Sequence, residues 1–319
     1  MSMPVTRDDV VGAAERLRGR VRRTPLIESQ PLSAASRRHV WLKLESLQQT
    51  RSFKFRGALH ALLRRVEGNA SSVPVVTASA GNHGLALATA ASTLGVPLQV
   101  FAPRTTPAAK LDRMRHDGVT VDTTSRDYDE AEQRALDVAA RGDAEYVSPY
   151  NHPDVIAGAG TVALEILDDL PDAATLVVPV GGGGLLSGVA LAVAGAARVV
   201  GVETDVSPGF STALAAGAIT PITPGVSLAD GLTGNLEAES RTFPLVRDHA
   251  DGVRRVREPD VVSGVRLLFQ DERLVAEGAG AIGVGALAAG LLDDLPDPVV
   301  VIVSGAHLDA AVFTAVVSG

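Results

Sequence analysis

The sequence predicts an α/β protein in which mainly parallel sheet is flanked by helices, and three observations predict it. Short apolar segments alternate with segments of helical period along almost the whole chain, the pattern of β-α units rather than of hairpins. The candidate strands, at 40–45, 73–79, 98–103, 119–124, 176–180, 199–203 and 299–305, are nearly all apolar, as strands buried on both faces are. The length of 319 residues exceeds what one hydrophobic core usually serves, so the chain has room for two domains.

The elements follow in order. The opening "MSMPVTRDDVVGAAERL" is charged within nine residues and lacks the apolar run of a signal peptide, so a cytoplasmic location is expected. Helical segments are read at 8–18, 53–65, 82–94, 107–116, 127–141, 155–169, 185–194, 259–271, 279–292 and 309–317. Pro107 suits a helix start, and Gly95 and Gly118 suit positions just past helix ends. The uncharged stretch 173–197 has the length of a membrane span. Pro179 and the four glycines Gly181, Gly182, Gly183 and Gly184 interrupt it, so it reads as a buried strand, a turn and a buried helix. Segments 25–38 and 207–235, rich in Pro, Gly, Ser and Thr, read as irregular.

Composition narrows the chemistry. A net charge of −8 with no long basic block argues against a nucleic-acid footprint. The absence of cysteine excludes disulfides and thiolate chemistry, and the seven histidines show no His-Glu-x-x-His spacing, so no metal is expected.

Three glycine-rich stretches remain. "VPVGGGGLLSG" follows an apolar strand and opens a helix, where bare amides and the helix N-terminus suit a phosphate; four glycines exceed the need of one tight turn. "TASAGNHGLAL" also joins a strand to a helix and reads equally as a carboxylate-binding loop or as an ordinary N-cap by Ser79 or Asn82. "GAGAIG" at 278–283 and "GAGTVA" at 158–163 mimic a dinucleotide fingerprint and read better as small residues in tightly packed helices.

Residues 50–60, "TRSFKFRGALH", gather Arg51, Lys54 and Arg56 at a helix start. Each cation there opposes the helix dipole by ~0.3–1 kcal/mol, so compensating anions are required. Phe53 and Phe55 draw the segment toward burial, and a buried lysine acts as an amine nucleophile or proton carrier.

The ordered set "SFKFRGA", "SAGNH", "GGGGL", "EGAGA" and "VSGAH" resembles the fold-type II pyridoxal-phosphate enzymes, specifically the threonine and serine dehydratase (ammonia-lyase) and serine racemase group. The resemblance runs from Arg23 to the last helix. It implies a two-domain, tryptophan synthase β-like fold, each domain a mainly parallel sheet flanked by helices: a large cofactor domain of 1–72 and 151–319, and a small domain of 73–150. It implies pyridoxal 5'-phosphate as cofactor, held covalently by Lys54, with Phe53 against its ring and Asn82 at its phenolic oxygen. The amides of Gly181, Gly182, Gly183, Gly184 and Leu185 would hold the phosphate, and Ser304 would face the pyridine nitrogen. Ser79, Ala80, Gly81, Asn82 and His83 would take the substrate carboxylate, with Tyr150 near the side chain. The implied reaction is loss of water from a β-hydroxy amino acid, giving a 2-oxo acid and ammonia, in a homodimer acting on a small amino acid.

Ala80 stands where racemases of this group carry a serine, which favours dehydration over racemisation. β-Replacement on the same cofactor and a non-catalytic nucleotide-binding protein are the alternatives. The chain also departs from the group's pattern: Arg51 replaces a glycine, 305–307 read Gly-Ala-His for Gly-Gly-Asn, and 158–161 read Gly-Ala-Gly-Thr for Gly-Gln-Gly-Thr. Glu203 matches one ligand of the group's divalent-cation site, but Gly209 stands where a second carboxylate is expected.

Overall fold

A computed structural model describes residues 4–68, 73–116 and 119–319; Gly118 lies outside the described residues. The first sheet has six strands: β1 (Leu26–Glu28), β2 (Val40–Lys43), β7 (Thr175–Pro179), β8 (Arg198–Thr204), β9 (Val253–Val256) and β10 (Val299–Ile302). They lie in the order β1-β2-β10-β7-β8-β9, parallel throughout except for the antiparallel edge strand β1. The second sheet has four parallel strands, β3 (Val75–Ala78), β4 (Leu98–Pro103), β5 (Thr120–Ser125) and β6 (Glu145–Tyr146), in the order β5-β4-β3-β6.

Period-two alternation splits the central strands of the large sheet between two cores. Leu176, Val178, Val300 and Ile302 face a layer that includes α1 (Arg7–Leu17), α7 (Pro153–Asp169) and α8 (Gly184–Val193). Val177, Val299 and Val301 face a layer that includes α11 (Glu258–Gln270) and α12 (Gly278–Ala288). The small sheet is covered on one face by α3 (Lys54–Glu67) and α4 (Asn82–Leu94), and on the other by α6 (Tyr128–Ala140). Helix α3 packs on both α4 and α7, so it is shared between the two sheets' helical layers, and Lys54 begins it.

All seven expected strands and all ten expected helices form. The sequence reading missed three strands. β1 and β6 are two or three residues long, and β9 is a half-exposed edge reading Val-Arg-Arg-Val, so none shows an apolar run. It also missed the short helices α2 (Gln30–Ser36), α9 (Gly209–Ala216) and α10 (Thr242–His249). For α2 a signal was present: Ser29 caps it through a bond from Leu32 N, and Pro31 occupies its first turn. The stretch 173–197 forms β7, a turn and α8, and among the described residues no helix is long and apolar enough to cross a membrane.

The fingerprint look-alikes are packing devices. A Cβ on Gly160 would lie 2.4 Å from Gly188 O, where α7 and α8 touch, and one on Gly280 would lie 2.4 Å from Gly305 O. Arg51 is exposed and has φ +57, the left-handed region that glycine enters freely. Arg51→Gly should therefore raise stability by up to ~1 kcal/mol, read from urea midpoints, because relief of the strained backbone outweighs the looser unfolded chain.

Candidate active site

Four connections leave the carboxyl ends of parallel strands and meet at one cavity of about 540 Å³, the position where α/β proteins bind ligands. Ser79 to His83 follow β3, the glycines follow β7, Ser304 follows β10, and the turn carrying Phe53 and Lys54 follows β2. The last two are stitched together: Ser52 bridges Gly305, and Phe53 N donates to Ser304 O at 3.0 Å. The cavity thus gathers Phe53, Lys54, Ser79, Ala80, Gly81, Asn82, His83, Tyr150, Gly181, Gly182, Gly183, Gly184, Leu185 and Ser304.

Lys54 Nζ donates to Pro149 O at 2.8 Å and sits 5.1 Å from the Phe53 ring centre. Burial lowers the ammonium to about 8, against a smaller opposing pull from Glu277. Protonation of this amine in the folded state is thus disfavoured, and the penalty applies fully below about pH 8. It is lifted as pH rises through about 8 toward the ordinary 10.5. The cofactor-free protein should gain stability across that window, and Lys54→Met should flatten the rise in a series of urea midpoints against pH.

Of the three cations at the start of α3, Arg56 is the one that meets carboxylates among the described residues. Arg56, 1% exposed, grips Glu45 at 2.8 and 2.9 Å and Glu165 at 2.7 and 2.9 Å. Lys43 Nζ adds a 2.6 Å bond to Glu165, and Thr24 Oγ1 donates to Glu45 at 2.6 Å. Although burial alone would raise the Glu45 carboxyl, Arg56 beside it holds it below the usual range. Two cations and two anions therefore close a buried network behind Lys54.

Each of the four glycines has its own steric reason, which corrects the expectation that one turn could not need them all. A Cβ would lie 3.0 Å from Leu232 Cα at Gly181, 2.2 Å from the Tyr150 ring at Gly182, 2.4 Å from Phe210 at Gly183 and 2.8 Å from Tyr150 O at Gly184. Gly183 also has φ +86. The backbone of 181–185 nevertheless presents donors: among the described residues none of these five amides has a protein acceptor, and they open α8 against the cavity. A row of unpaired amides beside a buried lysine fits a phosphate-bearing carbonyl cofactor.

The 79–83 loop divides its work. Ser79 Oγ accepts from Gly81 N at 3.2 Å and Gly84 N at 2.9 Å, so it caps the entry to α4, while the amides of Ala80, Asn82 and His83 have no acceptor among the described residues. Asn82 Nδ2 donates to Glu277 Oε1 at 2.7 Å. His83 is 3% exposed; its Nε2 donates to Val147 O at 3.3 Å, and its Nδ1 has no partner. Burial lowers this imidazole to about 3, so it is neutral and its free nitrogen is an acceptor. Only the His83 amide can attract a carboxylate. Ser304 Oγ donates to Ala279 O at 3.3 Å.

Glu277 is a cavity residue that sequence reasoning did not single out, although it begins the quoted "EGAGA". It takes Asn82 on one oxygen and His307 N, at 2.9 Å, on the other. Burial raises its carboxyl to about 7. His307 itself ties loops together, Nε2 donating to Thr50 O at 2.5 Å and Nδ1 accepting from Arg113 Nη1 at 2.9 Å. Arg51 lies outside the cavity lining. Glu203 accepts from Phe210 N and Ser211 N, both at 2.9 Å, and so caps α9. Among the described residues no group of three metal-ligating side chains gathers.

A family model described as pyridoxal-phosphate dependent enzyme matches residues 17–305. The chain is 39% identical to the L-threonine ammonia-lyase of Geobacter sulfurreducens, over 96% of this chain and 76% of that protein. It is 34% identical to the L-threo-3-hydroxyaspartate ammonia-lyase of a Pseudomonas species, over 98% of each. Among solved structures, maize serine racemase superposes with a TM-score of 0.91 at 30% identity, covering 98% of this chain and 97% of that one.

Proposed function

The chain belongs to the pyridoxal-phosphate-dependent enzymes, and from that premise we propose that it eliminates water from a β-hydroxy amino acid and releases an enamine, which water then hydrolyses to a 2-oxo acid and ammonia. The observation that carries the reading is Lys54, a desolvated amine at the junction of the two sheets' helical layers, opposite a row of free amides.

Pyridoxal phosphate, when bound, supplies the electron sink that makes the α-hydrogen of an attached amino acid acidic. The chain's own residues do the rest. Lys54 anchors the cofactor, then serves as the base that takes the α-proton; an amine lowered to about 8 is partly free base near neutrality, as a base working there must be. The amides of 181–185 hold the phosphate. Ser304, its hydroxyl turned from Ala279 O, would be a neutral partner for the ring nitrogen, where a carboxylate would make the ring a stronger sink; a neutral partner favours loss of the β-hydroxyl over transamination. Asn82, steadied by Glu277, donates to the phenolic oxygen, and the amides of Ala80, Asn82 and His83 take the substrate carboxylate. Release of 2-oxo acid across a panel of β-hydroxy amino acids tests the reaction.

Racemisation requires a proton donor on the face opposite Lys54, and the methyl group of Ala80 has no proton acidic enough to transfer. Ala80→Ser should add detectable racemisation of the same amino acid, measured by chiral separation of recovered substrate. Strong racemisation by the parent enzyme would reverse the assignment.

The same reading divides the chain into a large unit, 1–72 and 151–319, and a small unit, 73–150; the small sheet lies wholly within 75–146, while α3, assigned to the large unit, covers one face of it. A homodimer belongs to the same reading on the family resemblance alone; light scattering of the holoenzyme measures it.

A further inference from the structure

Glu132 and Glu237 stand in the wall of the cavity that holds Lys54, and among the described residues neither makes an ion pair. Their partners are neutral. Tyr146 Oη donates to Glu132 at 2.9 Å and Tyr128 Oη at 3.4 Å; Ser148 Oγ donates to Glu237 at 2.7 Å, joined by Asn151 Nδ2. All three tyrosines of the chain cluster here, with Tyr150 between this wall and the glycines, its ring against Gly182. Burial, with Glu237 adding to it, raises the Glu132 carboxyl, since among the described residues no cation offsets its loss of water.

A second, independent feature of the cavity points the same way. The unpartnered Nδ1 of His83, on a side chain 97% buried by its 3% exposure, is an acceptor waiting for a donor. Among the described residues two lysines line the cavity: Lys54, assigned to the cofactor, and Lys110, which lies 3.5 Å from Asp230. A substrate whose α-carboxylate occupies the 79–83 amides would therefore find acceptors and negative charge on this wall, and among the described residues no cation beside Glu132 and Glu237 to meet a second carboxylate.

We propose that this wall selects a substrate whose side chain ends in a positive charge or a hydrogen-bond donor and refuses one that ends in a carboxylate, with Glu132 and Glu237 as the specificity-determining residues. The inference rests on the lyase reading and names its substrate class. It sets this chain apart from its 3-hydroxyaspartate-acting relative, which is similar over nearly its whole length.

Amino acids without a β-leaving group separate binding from elimination. Titrated into the holoenzyme by calorimetry, L-2,4-diaminobutyrate should bind more tightly than L-2-aminobutyrate, and L-aspartate at least ~10-fold more weakly than L-2-aminobutyrate, as expected for like charges a few ångströms apart in a partly desolvated site. In Glu237→Gln and Glu132→Gln, each checked for folding by circular dichroism, the aspartate penalty should shrink to less than ~3-fold in at least one variant. Any parent order in which aspartate is not weakest, or in which the diamine is not tightest, overturns the proposal. An undiminished aspartate penalty in both folded variants overturns it as well. If the order holds while no β-hydroxy amino acid is turned over, the lyase reading fails and the charge selection stands.

Discussion

Lys54→Ala should lower release of 2-oxo acid from every β-hydroxy amino acid by at least ~10³-fold, because one substitution removes both the cofactor's anchor and the base that takes the α-proton. The measurement is a coupled 2-oxo acid assay on protein purified with added pyridoxal phosphate. The visible absorbance of bound cofactor should be lost on gel filtration. The fold should survive, since the change removes a buried amine whose protonation the folded state disfavours. Retention of cofactor together with activity in a well-folded Lys54→Ala protein would remove the basis of the proposed function.

Arg56→Met should cost the fold about 3–5 kcal/mol, the typical loss when one partner of a buried ion pair is deleted. The arginine leaves Glu45 without its cation and Glu165 with Lys43 alone, all behind the helix that carries Lys54. Neutralising the orphan by adding Glu45→Gln should recover part of the loss, since Lys43 and Glu165 then form a balanced pair. Urea unfolding of the parent, single and double variants reads both effects. A loss below ~1 kcal/mol in the single variant would mean that water enters the network and screens it.

Much of the architecture was legible because parallel β-α units write themselves into sequence. Strands buried on both faces must be apolar throughout, and the helices covering them must alternate, so seven of the strands and ten of the helices stood out. The missed elements are short or half-exposed, as in β6 with two residues and β9 with two outward arginines, where burial imposes no pattern. The cavity residues were legible for a different reason. Turns at the ends of parallel strands need glycine, serine and asparagine, and those residues stand out between apolar runs.

By itself the sequence determined the α/β class, the lysine among aromatics and the small-residue turns, because these are properties of neighbours along the chain. Only the tertiary structure decided what each of them meets. It showed that Arg56 is neutralised by carboxylates from two distant segments, that Gly182 is bare because the Tyr150 ring lies on it, and that His83 is neutral with a free acceptor. It also placed Arg51 on the surface and brought Glu132, Glu237 and Glu277 into one cavity with Lys54. Charge and burial act across space, so carboxylates 78 to 223 positions away share the cavity of Lys54, and no local pattern in the chain records that proximity.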